Sequence, residues 1–94
     1  MVEAHKKFYM TSTISSDMDS DERFYLEVFN CLERYNKNDW GDLCEEDKKA
    51  NETALKYGGM ILATYMTSKG KIYIITDDAG VSKQTVTILY PEEY

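Results

Sequence analysis

Three short runs near the end of the chain, MILATYMT, KIYIITD and QTVTILY, are apolar and rich in β-branched and aromatic residues, which is the composition of strands. The first two are separated by SKGK, where Gly70 supplies the positive φ of a tight hairpin; the last two are separated by the looser DDAGVSK around Gly80. An antiparallel meander follows. One face of it must be covered, so the residues before it have to supply the cover.

From Asp21 to about Tyr35, Phe24, Tyr25, Val28, Phe29, Cys31, Leu32 and Tyr35 recur at three- and four-residue spacing, a wide helical stripe. Asn36 to Asn38 and Gly41 break it. A second helix is predicted over CEEDKKANETALKYGG, with acids in its first turn, lysines later and Gly58 and Gly59 as stop signals. Its narrow stripe of Ala50, Ala54, Leu55 and Tyr57 places it at the periphery. Ahead of both helices, KKFYMTSTI from Lys6 to Ile14 reads as a strand, and Ser16, Asp17 and Ser20 as candidate N-caps. The predicted fold is α+β in the order β-α-α-β-β-β, a small antiparallel sheet with two helices packed on one face. Strand one, paired to an edge of the meander, would make the sheet four-stranded.

At 94 residues and 43% hydrophobic content, one domain over 1–94 has one core. The formal charge of -6 repels phosphate backbones, so direct nucleic-acid binding is disfavoured. The acids concentrate between Asp17 and Tyr35, where Asp17, Asp19, Asp21, Glu22, Glu27 and Glu33 face only Arg23 and Arg34. Cys31, Cys44 and His5 do not make a structural zinc set. Without a long apolar run or a secretory leader, a cytoplasmic protein with reduced thiols is expected, away from membranes.

The stretch NKNDWGDLCEEDKKAN carries the densest chemistry. Trp40 between Asp39 and Gly41 reads either as an exposed aromatic anchor or, preferably, as a plug between the second helix and the sheet. Asp39, Asp42, Asp47 and Asn51 match no calcium-loop spacing and are as well explained by capping, so no metal or cofactor is expected. Asp77 and Asp78 read as turn residues. His5 has no evident partner as a general base, Cys31 reads as core, and Cys44 lies near a helix N-terminus with no base beside it.

DWGDLCEEDKKANETAL, ILATY, KIYIIT and PEEY resemble a widespread set of short bacterial proteins carried on plasmids, phages and other mobile elements. The resemblance covers about Asp39 to Tyr94 and rests on Trp40, Gly41, Asp42, Asp47, Asn51, Tyr65, Thr76, Pro91, Glu92, Glu93 and Tyr94. Typical members have histidine where Tyr35 stands, arginine where Met60 stands, and an acid-alanine-aspartate-arginine turn in place of DDAGVSK.

Charge, the absence of catalytic pairs and the resemblance together point to a non-enzymatic accessory protein of a mobile element that binds a host or element-encoded protein. Its candidate surfaces are the corner (Asp39, Trp40, Asp42, Asp47, Asn51) and the acidic helix (Asp21, Glu22, Glu27). A sharper form is an acidic inhibitor of a nucleic-acid-processing defence enzyme. One alternative is a small-ligand or metal-dependent domain, binding or enzymatic, using Asp39, Asp42, Asp77 and Asp78; another is a DNA-binding regulator using Lys6, Lys7, Lys69, Lys71 and Lys83. An outer sheet face carrying some of Tyr65, Tyr73 and Tyr90 could pair with a second copy, which makes a homodimer a further hypothesis.

Overall fold

KKFYM forms strand β1 (His5–Met10), but the strand stops well short of the predicted end at Ile14. The computed structural model describes residues 5–94, His5 by its backbone alone. Thr11 is the switch: its backbone is extended, its hydroxyl accepts the Ile14 N–H at 3.3 Å, and Ser12–Ser20 turns into helix α1. Ile14 and Met18, one helical turn apart, are the residues α1 buries. Asp21 ends α1 and caps α2 (Glu22–Asn36), its carboxylate accepting the Phe24 N–H at 3.2 Å. Helix α3 (Glu45–Tyr57) makes three helices among the described residues instead of the predicted two. A serine- and threonine-rich stretch has weak helix propensity, and here the cap and two buried apolar residues override it.

Strands β2 (Ile61–Thr67), β3 (Gly70–Thr76) and β4 (Lys83–Leu89) form the expected antiparallel meander. The sheet order is β1-β4-β3-β2, and β1 pairs with β4 in parallel, Phe8 opposite Val86 and Met10 opposite Ile88. The class is α+β as predicted, whereas the sheet is mixed, not wholly antiparallel. The reason is topological. Two antiparallel steps make β2 run the same way as β4, and therefore the same way as β1, so the three helices form one long crossover between parallel edge strands.

The crossover covers one sheet face. Ala63 and Tyr65 of β2, Ile72 and Ile74 of β3, and Val86 and Ile88 of β4 share that face and are buried with Ile14, Phe24, Val28 and Cys31. The buried stripe of α2 is Phe24, Val28, Cys31 and Tyr35, narrower than the sequence pattern suggests, because Tyr25 and Phe29 stay exposed. Helix α3 buries only Asn51 and Ala54, so it is peripheral as expected, though Leu55 and Tyr57 point to solvent. The chain closes with a 3₁₀ turn, Pro91–Glu93. None of the described helices is long and apolar enough to cross a membrane.

Candidate functional site

The Asp39 to Asn51 corner is a clamp on the edge of β2. At the end of α2, the Arg34 guanidinium donates to both carboxylate oxygens of Asp39, at 2.8 and 3.3 Å, and the same carboxylate accepts the Gly41 N–H at 3.1 Å. The Arg34 bond, followed by that N–H, holds the Asp39 carboxyl below its ordinary range. The Tyr65 hydroxyl donates to the Asp39 carbonyl at 2.6 Å, and the Arg34 guanidinium lies 5.0 Å over the Tyr65 ring. Burial raises the Tyr65 phenol well above its usual range.

So held, residues 40–42 lie along β2 like a short extra strand. The Thr64 N–H donates to the Trp40 carbonyl at 3.2 Å, and the Asp42 N–H donates to the Thr64 carbonyl at 2.8 Å. Gly41, at φ +74°, is required: a Cβ there would sit 1.9 Å from the Thr64 carbonyl oxygen. Two residues along the edge, Asn51 does the same with its side chain. Its amide donates to the Leu62 carbonyl at 2.8 Å and its oxygen accepts the Leu62 N–H at 3.3 Å. The two devices satisfy four backbone groups that an edge strand would otherwise leave unpaired.

Trp40 is 3% exposed, its ring edge-on to Tyr35 at 5.5 Å and its N–H donating to Glu52 at 3.2 Å. The indole is a plug, as preferred from the sequence, and offers no anchor surface. Asp42 and Asp47 remain exposed, and their carboxylates take no hydrogen bond among the described residues. A shallow recess of ≈ 270 Å³ runs beside Asp47, lined also by Leu43, Ala50 and Met60.

The acidic helix is similarly committed inward. Asp21 caps α2 and pairs with Lys69 at 3.6 Å, and the Glu27 carboxylate accepts the Ser68 N–H and hydroxyl, tying α2 to the β2–β3 turn. Of the three acids singled out there, only Glu22 has no bond among the described residues. The alternative carboxylate set does not converge. Asp39 and Asp42 lie at the Thr64 level of β2, while Asp77 and Asp78 follow Thr76, which pairs with Ile61 at the far end of that strand. Asp77 accepts the Thr85 N–H at 2.9 Å, and Asp78 accepts those of Gly59 and Gly80 at 3.0 and 2.8 Å, so both are turn residues. The Gly59 and Gly80 bonds lower the Asp78 carboxyl, the wrong direction for a general base. Among the described residues no three His, Cys, Asp or Glu side chains gather as a metal site.

The lysines are split as well. Lys7 and Lys83 lie at one end of the sheet, Lys69 and Lys71 at the other, and Lys6 projects on the opposite face from Lys7. No single basic strip forms from them. Cys31 is buried, which pushes its thiol up to about 11, and Cys44 is exposed at the start of α3; both are free. The imidazole of His5 lies outside the described residues. The outer-face tyrosine surface is also absent: Tyr65 and Tyr90 are buried, and Tyr73 is met edge-on by Tyr94 at 6.0 Å.

The sequence reading missed a different feature. Phe8 (45% exposed) and Met10 of β1, with Phe29 (45%) and Leu32 of α2, line an apolar groove of ≈ 410 Å³ rimmed by Glu33 and Asn36. Tyr25, its ring tilted against Phe29 at 4.9 Å, continues the apolar surface along the helix, whereas Leu26 (59%) lines a separate recess with Glu22, Arg23, Glu27 and Asn30. The excess width of the α2 stripe was the signal in the sequence: Tyr25 and Phe29 lie outside the sector that meets the sheet. Compared with protein-family models, curated proteins and solved structures, the chain matches none.

Proposed function

We propose that this chain is a small non-enzymatic accessory protein, of the kind mobile elements carry, acting in the cytoplasm by protein–protein interaction. Its contact surface is the apolar strip along β1 and α2, and its partner supplies an extended segment that adds to the β1 edge and lays apolar side chains in the groove. The observation that carries this reading is the position of the strip. Phe8, Met10 and Phe29 are exposed and line one groove beside a sheet edge, with the exposed Tyr25 packed on Phe29, whereas large exposed apolar patches are rare on proteins that act alone. The resemblance to mobile-element proteins supports the accessory role. The corner that defines the resemblance contributes by holding the β2 edge closed.

A photo-crosslinking amino acid in place of Phe29, and separately in place of the exposed Lys49 on α3, tests this in cells. A discrete protein adduct is expected at position 29 only, and it should disappear in a Phe8→Glu background. Identical adducts from both positions, or none from position 29, would overturn the reading.

A further inference from the structure

The two edges of the sheet are treated oppositely. At β2, residues 40–42 and the Asn51 amide occupy the edge; at β1, no backbone group among the described residues pairs with the outer side of the strand. Such an edge is a template for another strand. We propose that the strand it accepts is β1 of a second copy, paired antiparallel about a two-fold axis through Phe8, an inference that rests on the interaction surface proposed above and names its partner.

The register follows from backbone direction and charge. The Thr11 N–H donates to the Ile88 carbonyl at 3.1 Å, so it points toward β4; alternation along a strand then turns the N–H and C=O of Phe8, and equally of Lys6 and Met10, to the free edge. Pairing Phe8 with Phe8 uses those groups. It sets Lys6 opposite Met10 and Lys7 opposite Tyr9, so no like charges meet, whereas the register one step away, with Lys7 opposite Lys7, opposes two ammonium groups.

The same axis keeps the two helical layers on one side of a continuous sheet and joins the two apolar grooves across the seam. Charge is complementary locally. The strand brings Lys6 and Lys7 and no acid, while the groove it approaches is rimmed by Glu33, and Lys6 of the second copy enters on that groove's face of the sheet.

Solution mass tests the pairing on the full chain. The native protein should approach twice 10.9 kDa with rising concentration. Phe8→Glu, which sets carboxylates face to face at the axis, should return it to one copy with an unchanged far-ultraviolet spectrum. Because a hydrogen-bonded antiparallel pair has Cα atoms about 5.5 Å apart, within disulfide reach, Phe8→Cys in a Cys44→Ser background should oxidise to a covalent dimer, while Lys49→Cys in that background should not.

A native mass of one copy at every concentration overturns the pairing, as does a dimer that Phe8→Glu leaves intact. A monomer that still yields a heterologous adduct at position 29 removes the second copy as partner and keeps the interaction surface. A monomer without any adduct removes both.

Discussion

A single methyl group at Gly41 would strike the Thr64 carbonyl at 1.9 Å, on a backbone whose φ of +74° already disfavours any side chain. Left-handed strain and overpacking together make Gly41→Ala cost roughly 2–4 kcal/mol, a fall in Tm of at least about 8 °C for a domain of this size. A native-like melting temperature would refute the clamp. Asn51→Ala strips the Leu62 N–H and carbonyl of their partners and should cost about 1–3 kcal/mol in denaturant titrations. Asp42→Ala and Asp47→Ala, which remove carboxylates with no bond, should stay within about 0.5 kcal/mol of native. If the order reverses, the aspartates and not the glycine and amide hold the corner. The sequence marks Gly41 as a hinge and Asn51 as a helix-face residue. It carries no sign that both dock on one distant strand, because edge protection is a tertiary relation with no periodicity of its own.

At the scale of elements, the strongly periodic pieces were legible and the transitions were not. The meander and α2 follow from apolar spacing, and both stand where the pattern puts them. Helix α1 does not, since β-branched residues from Thr11 to Ile14 extend the strand-like composition past the point where the chain turns. The cap decides. Thr11 accepts the Ile14 N–H and donates to Glu93 at 2.9 Å, joining the start of α1 to the last turn of the chain. Thr11→Val keeps the shape and β propensity and loses both bonds, so it should cost about 1 kcal/mol, or roughly 4–8 °C in Tm, with a loss of helical signal. Ser16→Ala, in the exposed middle of α1, serves as the control with no loss. An unshifted Thr11→Val melt would mean that burial of Ile14 and Met18 forms the helix unaided.

For the whole molecule, the α+β class was readable from the order of patterns, whereas the parallel docking of β1 was not, since nothing in a strand's own residues states which way its neighbour runs. The ionisable groups are arranged as pH limits on that fold. Burial pushes Tyr35, bonded to Thr76, up to about 12, and burial raises Tyr65 and Tyr90 too, Tyr90 also donating to the Asp17 carboxylate. A raised folded pKa means that the unfolded chain loses its proton first, so this stability is complete below about pH 10 and is lost as pH climbs through the folded values. The acid side has the opposite sign. Asp21, Asp39, Asp78 and Glu93 are lowered, chiefly by the Phe24 N–H, Arg34, the Gly59 N–H and the Tyr90 N–H respectively. Their share is present above the ordinary carboxylate range, near pH 4, and is lost as pH falls through the folded values. Denaturant midpoints should therefore be flat across neutrality and drop on both sides. Tyrosinate absorbance separates the cause on the alkaline side: three of the eight tyrosines should ionise only as the fold is lost, and two after Tyr35→Phe. Eight tyrosines titrating together near pH 10 in a folded chain would show that the core does not hold these protons.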